Sequence, residues 1–261
     1  MTKAERIFDP MSAEIKFDLS ALDLANLALQ RTAPLIALGG RQALNQWFTT
    51  GDKEPIFSFL KQAGAADLFV NQVLQDIMGE VETLGRHIDF SAIKSVTSIG
   101  PGLCIFELIL YWQHSCKLYL VDIEASAEHQ HGFHQHGSGY SDNTSARRFL
   151  EANGIPPTEI EFCNPRRQPL HHAPVDLIIS NISMGFHYPL GEYVSYIQQA
   201  LVPGGFLVFD KRKGVDDQGW TALSPSFQQQ AALDLGKAMK LICKRRHEPG
   251  AACTLQDKEE A

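Results

Sequence analysis

The sequence contains few of the features that mark secreted, membrane or nucleic-acid-binding proteins. Its five cysteines form neither a CxxC pair nor a zinc-ligand spacing, which disfavours a disulfide framework and a zinc site. No apolar run reaches the roughly 18 residues of a membrane span, and the first residues lack the apolar stretch of a signal peptide. A formal charge of −7 disfavours binding to nucleic-acid phosphates. We therefore expect a cytoplasmic protein that binds neither nucleic acid nor membranes.

What the sequence does contain is an ordinary globular composition arranged in two parts. Hydrophobic residues make up 44% of the chain and charged residues 20%, which is enough apolar material for a sizeable core. The first part is helical in its patterning, with the longest helical period over Ala65–Leu84. In the second part, short strand-like runs alternate with helices, as in α/β proteins. We predict an N-terminal helical cap over residues 1–90 and one α/β domain over residues 91–261.

The most informative stretch runs from Lys94 to Glu124 and predicts a strand, a glycine turn, a helix and a second strand. Gly100 and Gly102 in the turn lack a Cβ atom, so a ligand can lie against bare backbone there. The helix after the turn would direct its free N–H groups toward that ligand. Asp122 ends the second strand about 20 residues after the glycines, where an acid can bind the two hydroxyls of a ribose. This pattern predicts a site for a nucleotide-type cofactor.

The spacing of the glycines distinguishes among such cofactors. A dinucleotide fingerprint needs a third glycine at the position of Ile105, so NAD and FAD are disfavoured. The stretch instead resembles motif I of the class I S-adenosylmethionine-dependent methyltransferases, in which an acid and an apolar residue precede Gly-x-Gly-x-Gly. It departs from that motif at Ser98, which stands in place of the acid, and at Cys104, which stands in place of the third glycine.

The resemblance implies a fold and a cofactor site. The fold is a Rossmann-like, doubly wound, mostly parallel sheet of seven strands, and the cofactor is S-adenosyl-L-methionine. The cofactor-binding residues that it implies are Ser98, Gly100, Gly102, Asp122, Ile123, Asn164 and Asn181. Among them, Asp122 is expected to bind the ribose, and Asn164 at the tip of the third strand is expected to bind the adenine amino group. No metal is expected in the site.

The second half of the chain extends the resemblance. Val175–Asn181 is typical of a buried strand, and a helix, a Pro-Gly-Gly turn and the strand Phe206–Asp210 follow in the order of the same superfamily. The phrases ISNISMGFHYP and ARRFLEANGI resemble the sugar O-methyltransferases of bacterial polysaccharide clusters, which implies a sugar or another small molecule as acceptor. His187 lies just beyond the fourth strand and is the predicted catalytic base. Its ordinary pKa of about 6.5 suits the removal of a hydroxyl proton.

Two further segments carry weaker signals. Four histidines fall within one short loop, a composition that some metal sites use, but without a nearby cysteine or helical spacing we favour a loop over the cofactor cleft. They are His129, His131, His134 and His136. Near the C-terminus we predict a helix over Ser226–Leu235, a strand over Lys237–Cys243 and a further strand over Gly250–Leu255.

Two other functions stay open at this point. Some proteins of this fold transfer the aminocarboxypropyl arm of the same cofactor, as nicotianamine synthase-like enzymes do, and the missing acid at Ser98 keeps this alternative open. A non-catalytic module that only binds the cofactor would also explain the departures at Ser98 and Cys104. The oligomeric state is open as well, a homo-oligomer included.

Overall fold

The computed structural model describes residues 15–124, 133–134, 139–171 and 173–247, in which helices precede and flank one sheet. The helices are α1 Ala21–Gln30, α2 Thr32–Ala37, α3 Arg41–Thr50, α4 Glu54–Leu60, α5 Ala65–Gly85, α6 Ile105–His114, α7 Asn143–Ala152, α8 Val194–Ala200 and α9 Gln218–Leu223. The strands are β1 Ser95–Ile99, β2 Lys117–Val121, β3 Ile160–Cys163, β4 Val175–Ser180, β5 Leu201–Arg212, β6 Phe227–Asp234 and β7 Ala238–Arg245.

The sheet has the order β3-β2-β1-β4-β5-β7-β6, and among these strands β7 alone runs in the direction opposite to the other six. The predicted Rossmann-like, doubly wound sheet of seven strands is therefore confirmed. The strand order reverses between β1 and β4, which pair with each other in parallel at the centre of the sheet. In open parallel sheets, ligands bind beyond the carboxyl ends of the strands at such a reversal.

The first helix begins where a capping signal in the sequence places it. Ser20 caps α1 in a capping box with Asp23, and each side chain accepts from the other residue's backbone N–H. Asp23 also forms an ion pair with Arg148 of α7, at 2.9 Å between carboxylate oxygen and guanidinium nitrogen, which ties α1 to the sheet region. None of the helices within the described ranges combines the length and the apolar character that crossing a membrane requires.

The core consists of two hydrophobic clusters, one on each face of the sheet. Alternation along β4 shows how one strand serves both clusters, because Leu177 and Ile179 pack into the first and Ile178 packs into the second. The first cluster also contains buried residues of α1 to α7, and the second contains those of α8 and α9. The N-terminal helices therefore share a continuous core with one face of the sheet.

The segment near the C-terminus corrects one prediction. The helix predicted over Ser226–Leu235 is wrong, because β6 occupies Phe227–Asp234 and pairs antiparallel with β7. Most of its side chains are exposed, as on an edge strand, and backbone pairing outweighs the weak helical preference of its glutamines and alanines. The strand predicted over Lys237–Cys243 is confirmed as β7, while the one over Gly250–Leu255 lies outside the described residues.

Candidate active site

A cleft of about 950 Å³, part of it open to solvent, lies beyond the carboxyl ends of β1, β2 and β4. Most of the residues predicted for the site line this cleft, namely Ser98, Gly100, Gly102, Asp122, Ile123, Asn181 and His187. The topology thus brings together side chains that the sequence spreads over about ninety positions.

The glycine turn after β1 needs glycine for two reasons. Gly100 and Gly102 have φ angles of +70° and +61°, in the left-handed region that other residues rarely adopt. A Cβ atom on Gly100 would lie 2.0 Å from the Ser183 hydroxyl oxygen, and one on Gly102 would lie 2.3 Å from the Gln30 side-chain oxygen. The nearest atoms above both glycines therefore belong to protein side chains, where the sequence had suggested space for a ligand against the backbone.

Gln30 is a residue that the sequence reasoning missed. Its side-chain oxygen accepts a hydrogen bond from the Leu103 N–H at 3.1 Å, and its amide nitrogen donates to the Tyr140 carbonyl at 2.9 Å. Helix α6 begins after Cys104, whose backbone is left-handed and whose side chain makes no capping hydrogen bond. The amide of Gln30 therefore supplies, from the end of α1, a partner for an N–H group just ahead of α6.

Asp122 is held in place at the end of β2 before any ligand arrives. It is buried, and its Oδ1 accepts from the Ser141 hydroxyl at 2.6 Å and from the Glu124 N–H at 2.8 Å. Burial raises the pKa of this carboxyl, and hydrogen bonds from Ser141 and from the backbone of Glu124 and Gly102 oppose that rise. A carboxylate has about four acceptor positions, so one fixed in this way can still accept from a hydroxyl in the cleft.

A second buried carboxyl group, Glu107 in the first turn of α6, also lines the cleft. The residue is 2% exposed, and its Oε1 accepts from the Ser98 hydroxyl at 2.5 Å. Its Oε2 has no hydrogen-bond partner among the described residues. Burial raises the pKa of Glu107 from its ordinary value of 4.5 to about 7, against the hydrogen bond from Ser98 and the charge of Arg31. A carboxyl group therefore lies beside Ser98 although β1 itself carries none.

Arg31, the residue after α1, brings a positive charge to the same cleft. Its guanidinium forms a forked ion pair with Glu80 of α5, with nitrogen–oxygen distances of 2.5 and 3.2 Å. Both side chains are largely buried, at 15% and 22% exposure, so solvent weakens this pair less than a surface pair. The fork fixes the plane of the guanidinium. No feature of the sequence distinguished Arg31 from the other basic residues of the helical region.

His187 also lines the cleft, as do three residues that carry hydroxyl groups. Ser183 and Tyr188 share a hydrogen bond of 3.0 Å between their side-chain oxygens, and Tyr193 lines the cleft beside them. Burial raises the pKa of Tyr188 to about 12, so this phenol stays neutral near pH 7. The backbone of His187 is anchored by bonds of 2.8 Å from its N–H to the Ser183 carbonyl and from the His134 N–H to its own carbonyl.

Beneath Asn181 lies a buried ion pair that the sequence did not reveal. Lys240 of β7 contacts Asp210 of β5 at 2.8 Å and donates to the Asn181 side-chain oxygen at 2.7 Å. Asp210 in turn accepts from the Ile182 N–H at 2.8 Å. These contacts fix the loop after β4 and the orientation of the Asn181 side-chain amide. They depend on pairing between strands that are remote in sequence.

Asn164 and His134 are not among the residues that line the cleft. Asn164 donates from its amide nitrogen to the Glu124 carboxylate at 2.9 Å, and its oxygen accepts from the Arg166 N–H at 3.0 Å. Its contact with adenine stays a prediction. His129, His131 and His136 lie outside the described residues. Within the ranges that the structure covers, no group of three or more His, Cys, Asp or Glu side chains is placed to hold a metal.

Comparison with solved structures identifies the architecture. The StiE O-MT segment superposes on this chain with a TM-score of 0.53 at 14% identity, over 74% of this chain and 81% of that segment. The fold is that of the class I methyltransferases. At this identity the likeness to a methyltransferase structure shows the fold alone, and no family model and no curated protein matches the sequence.

Two other methyltransferase structures are similar over most of their lengths. An O-methyltransferase family protein from Burkholderia thailandensis shows 14% identity and a TM-score of 0.48, over 82% of this chain and 72% of that chain. The ribosomal protein L11 methylase of Lactobacillus delbrueckii subsp. bulgaricus shows 21% identity and a TM-score of 0.43, over 67% of this chain and 80% of that chain.

Proposed function

We propose that this protein is an S-adenosyl-L-methionine-dependent methyltransferase. The observation that carries the proposal is that Asp122 and the Gly100–Gly102 turn line one cleft at the carboxyl edge of the sheet. A buried carboxylate at the end of the second strand suits a ribose, because it can accept from two neighbouring hydroxyls. Helices α1 to α5 act in this proposal as a cap, since Gln30 and Arg31 line the cleft from their side.

The residues present fit this cofactor. Glu107 lines the same cleft as Asp122, and an ammonium group would supply the hydrogen bond that one of its side-chain oxygens lacks among the described residues. When bound, S-adenosylmethionine supplies a methyl group that its positively charged sulfur already activates. The chain has then to bind the acceptor, orient it and exclude water, which is the main source of rate in such a site.

For the acceptor we propose a hydroxyl of a sugar or another small molecule, with His187 as the base. The cleft that His187 lines is also lined by Ser183, Tyr188 and Tyr193, whose hydroxyls can donate to and accept from a polyhydroxylated ligand. A ring nitrogen of His187 would take the proton of the acceptor hydroxyl. Tyr188 is unsuited to that role, because its pKa of about 12 keeps its own proton in place near pH 7.

Titration calorimetry with S-adenosylhomocysteine tests the cofactor assignment. The parent protein should bind one equivalent, and Asp122→Asn should weaken binding by about 1–3 kcal/mol, the cost of losing hydrogen bonds to a charged group. Asparagine keeps an oxygen that can accept from Ser141 and Glu124, so the fold should be retained. Failure of the parent protein to bind would refute the proposal and favour a module without this cofactor.

Mass spectrometry of the reaction products tests the transfer itself. With a panel of sugars and small hydroxylated acceptors, methyl transfer adds one methyl group to the acceptor and leaves S-adenosylhomocysteine. Transfer of the aminocarboxypropyl arm would leave methylthioadenosine instead and would refute methylation. A cofactor that binds but stays intact with every acceptor of the panel would favour the non-catalytic module.

A further inference from the structure

Two buried, oppositely charged groups lie in the cleft and take no part in the proton transfer proposed above. Glu107 is 2% exposed, and one of its oxygens lacks a hydrogen-bond partner within the described part of the chain. Arg31 lies in the same cleft, and its hydrogen bonds to Glu80 use two of the five N–H donors of a guanidinium. One group approaches from α6 and the other from the end of α1.

We propose that Glu107 and Arg31 bind the zwitterionic amino-acid end of S-adenosylmethionine, with Glu107 accepting from the ammonium group and Arg31 donating to the carboxylate. This inference rests on the proposed function and adds the residues that recognise one end of the cofactor. It also assigns the acid that the glycine motif lacks, because Glu107 on the helix contacts Ser98, which stands in the strand position of that acid.

The energetics of burial favour a ligand opposite Glu107. A buried carboxylate oxygen without a partner costs free energy in the free protein, and folding alone gives no reason to keep it. The neighbouring positions of α6 carry buried apolar residues, among them Ile105, Phe106 and Leu108, so Glu107 is the exception in an otherwise apolar stretch. An ammonium group would satisfy the open oxygen with a charge-assisted hydrogen bond.

The surroundings of Arg31 favour a carboxylate as its second partner. Glu80 holds one edge of the guanidinium from α5 and so fixes its plane. A planar guanidinium held in this way can present further N–H groups to a second carboxylate with little loss of rotamer freedom. Asp122 is less suited to the ammonium, because it already accepts from Ser141 and from backbone N–H groups.

A series of three ligands separates recognition of the two ends of the cofactor. S-adenosylhomocysteine has both charged groups, its decarboxylated analogue 5′-(3-aminopropylthio)adenosine has the amine alone, and 5′-methylthioadenosine has neither. Glu107→Gln should weaken the first two ligands roughly tenfold to hundredfold, the range of a charged hydrogen bond, and leave methylthioadenosine within twofold of the parent. The matched control is Glu82→Gln on α5, whose side chain is 72% exposed and which should change none of the affinities.

Arg31→Lys tests the other half of the pair while keeping a positive charge opposite Glu80. It should weaken S-adenosylhomocysteine roughly tenfold and leave the decarboxylated analogue within twofold, because lysine cannot reproduce a bidentate contact. Retained affinity for methylthioadenosine shows that each variant is folded. If Glu107→Gln changes all three affinities equally or none of them, the inference is overturned. If the parent protein binds none of the three ligands, the proposed function fails as well.

Discussion

Replacing Glu107 with glutamine should change how the stability of the protein depends on pH. In the folded chain the pKa of Glu107 is raised from 4.5 to about 7, mainly because the carboxyl is buried. The folded state therefore binds this proton more tightly than the unfolded state does between these two pH values. Below pH 4.5 the carboxyl is protonated in both states and does not lower the free energy of unfolding. As the pH rises through about 7 the free energy of unfolding falls, because the folded chain must then hold a buried carboxylate.

The size of the effect follows from the same pKa difference. Each tenfold change in proton affinity corresponds to about 1.4 kcal/mol, so the free energy of unfolding falls by about 3 kcal/mol in full. Between pH 5 and pH 8 it falls by roughly 2–3 kcal/mol. The charged groups that act on Glu107 are Arg31, which favours the carboxylate, and Glu80, which disfavours it. Glutamine has no proton to lose, and its oxygen can still accept from Ser98.

Urea unfolding of the parent protein and of Glu107→Gln at pH 5 and pH 8 measures this difference. Glu107→Gln should be the more stable of the two proteins at pH 8. Its advantage in the free energy of unfolding should be smaller at pH 5 by roughly 2–3 kcal/mol. Glu82→Gln serves as the control and should follow the parent at both pH values, because its side chain is exposed. An equal change in stability with pH for the parent and for Glu107→Gln would refute the account of a buried, protonatable Glu107.

The remaining predictions concern the buried ion pair and the proposed base. Lys240→Met should lower the free energy of unfolding by about 3–5 kcal/mol, because Asp210 would stay buried without its cation. Lys213→Met breaks an exposed ion pair and should lower the free energy of unfolding by less than about 1 kcal/mol. Equal losses for the two variants in urea unfolding would show that burial does not strengthen the pair of Lys240 and Asp210. His187→Ala should lower turnover about 10²–10⁴-fold with cofactor affinity nearly unchanged. Turnover within a few-fold of the parent and of the exposed control His87→Ala would remove His187 from the mechanism.

The sequence was sufficient for the centre of the fold because its signals there are local. The strand, glycine turn, helix and strand from Lys94 to Glu124 follow each other without interruption, and β1, α6 and β2 occupy that stretch. The edge of the sheet was harder to predict. Gln228 and Gln229 belong to β6, where pairing with β7 and a register shift decide the conformation, and neither leaves a pattern in a single sequence.

The same distinction applies to the cleft. Asp122 could be predicted to line the cleft because a residue at the carboxyl end of a parallel strand lies at the edge of the sheet where ligands bind. This position does not depend on how the surrounding elements pack. Glu107 is visible in the sequence as the one acidic residue of an apolar helix, but its contact with Ser98 depends on how α6 is rotated against β1. Gln30 lies 73 positions before Leu103, so its hydrogen bond follows from how the N-terminal helices pack on the sheet.

A crystal structure of the protein with bound S-adenosylhomocysteine would show where the cofactor lies. We expect the ligand in the cleft between the Gly100–Gly102 turn and the end of β2, with both ribose hydroxyls within hydrogen-bond distance of Asp122. Its ammonium group should contact Glu107 and its carboxylate Arg31. A ligand bound outside this cleft, or bound inside it with the ribose away from Asp122, would contradict the account.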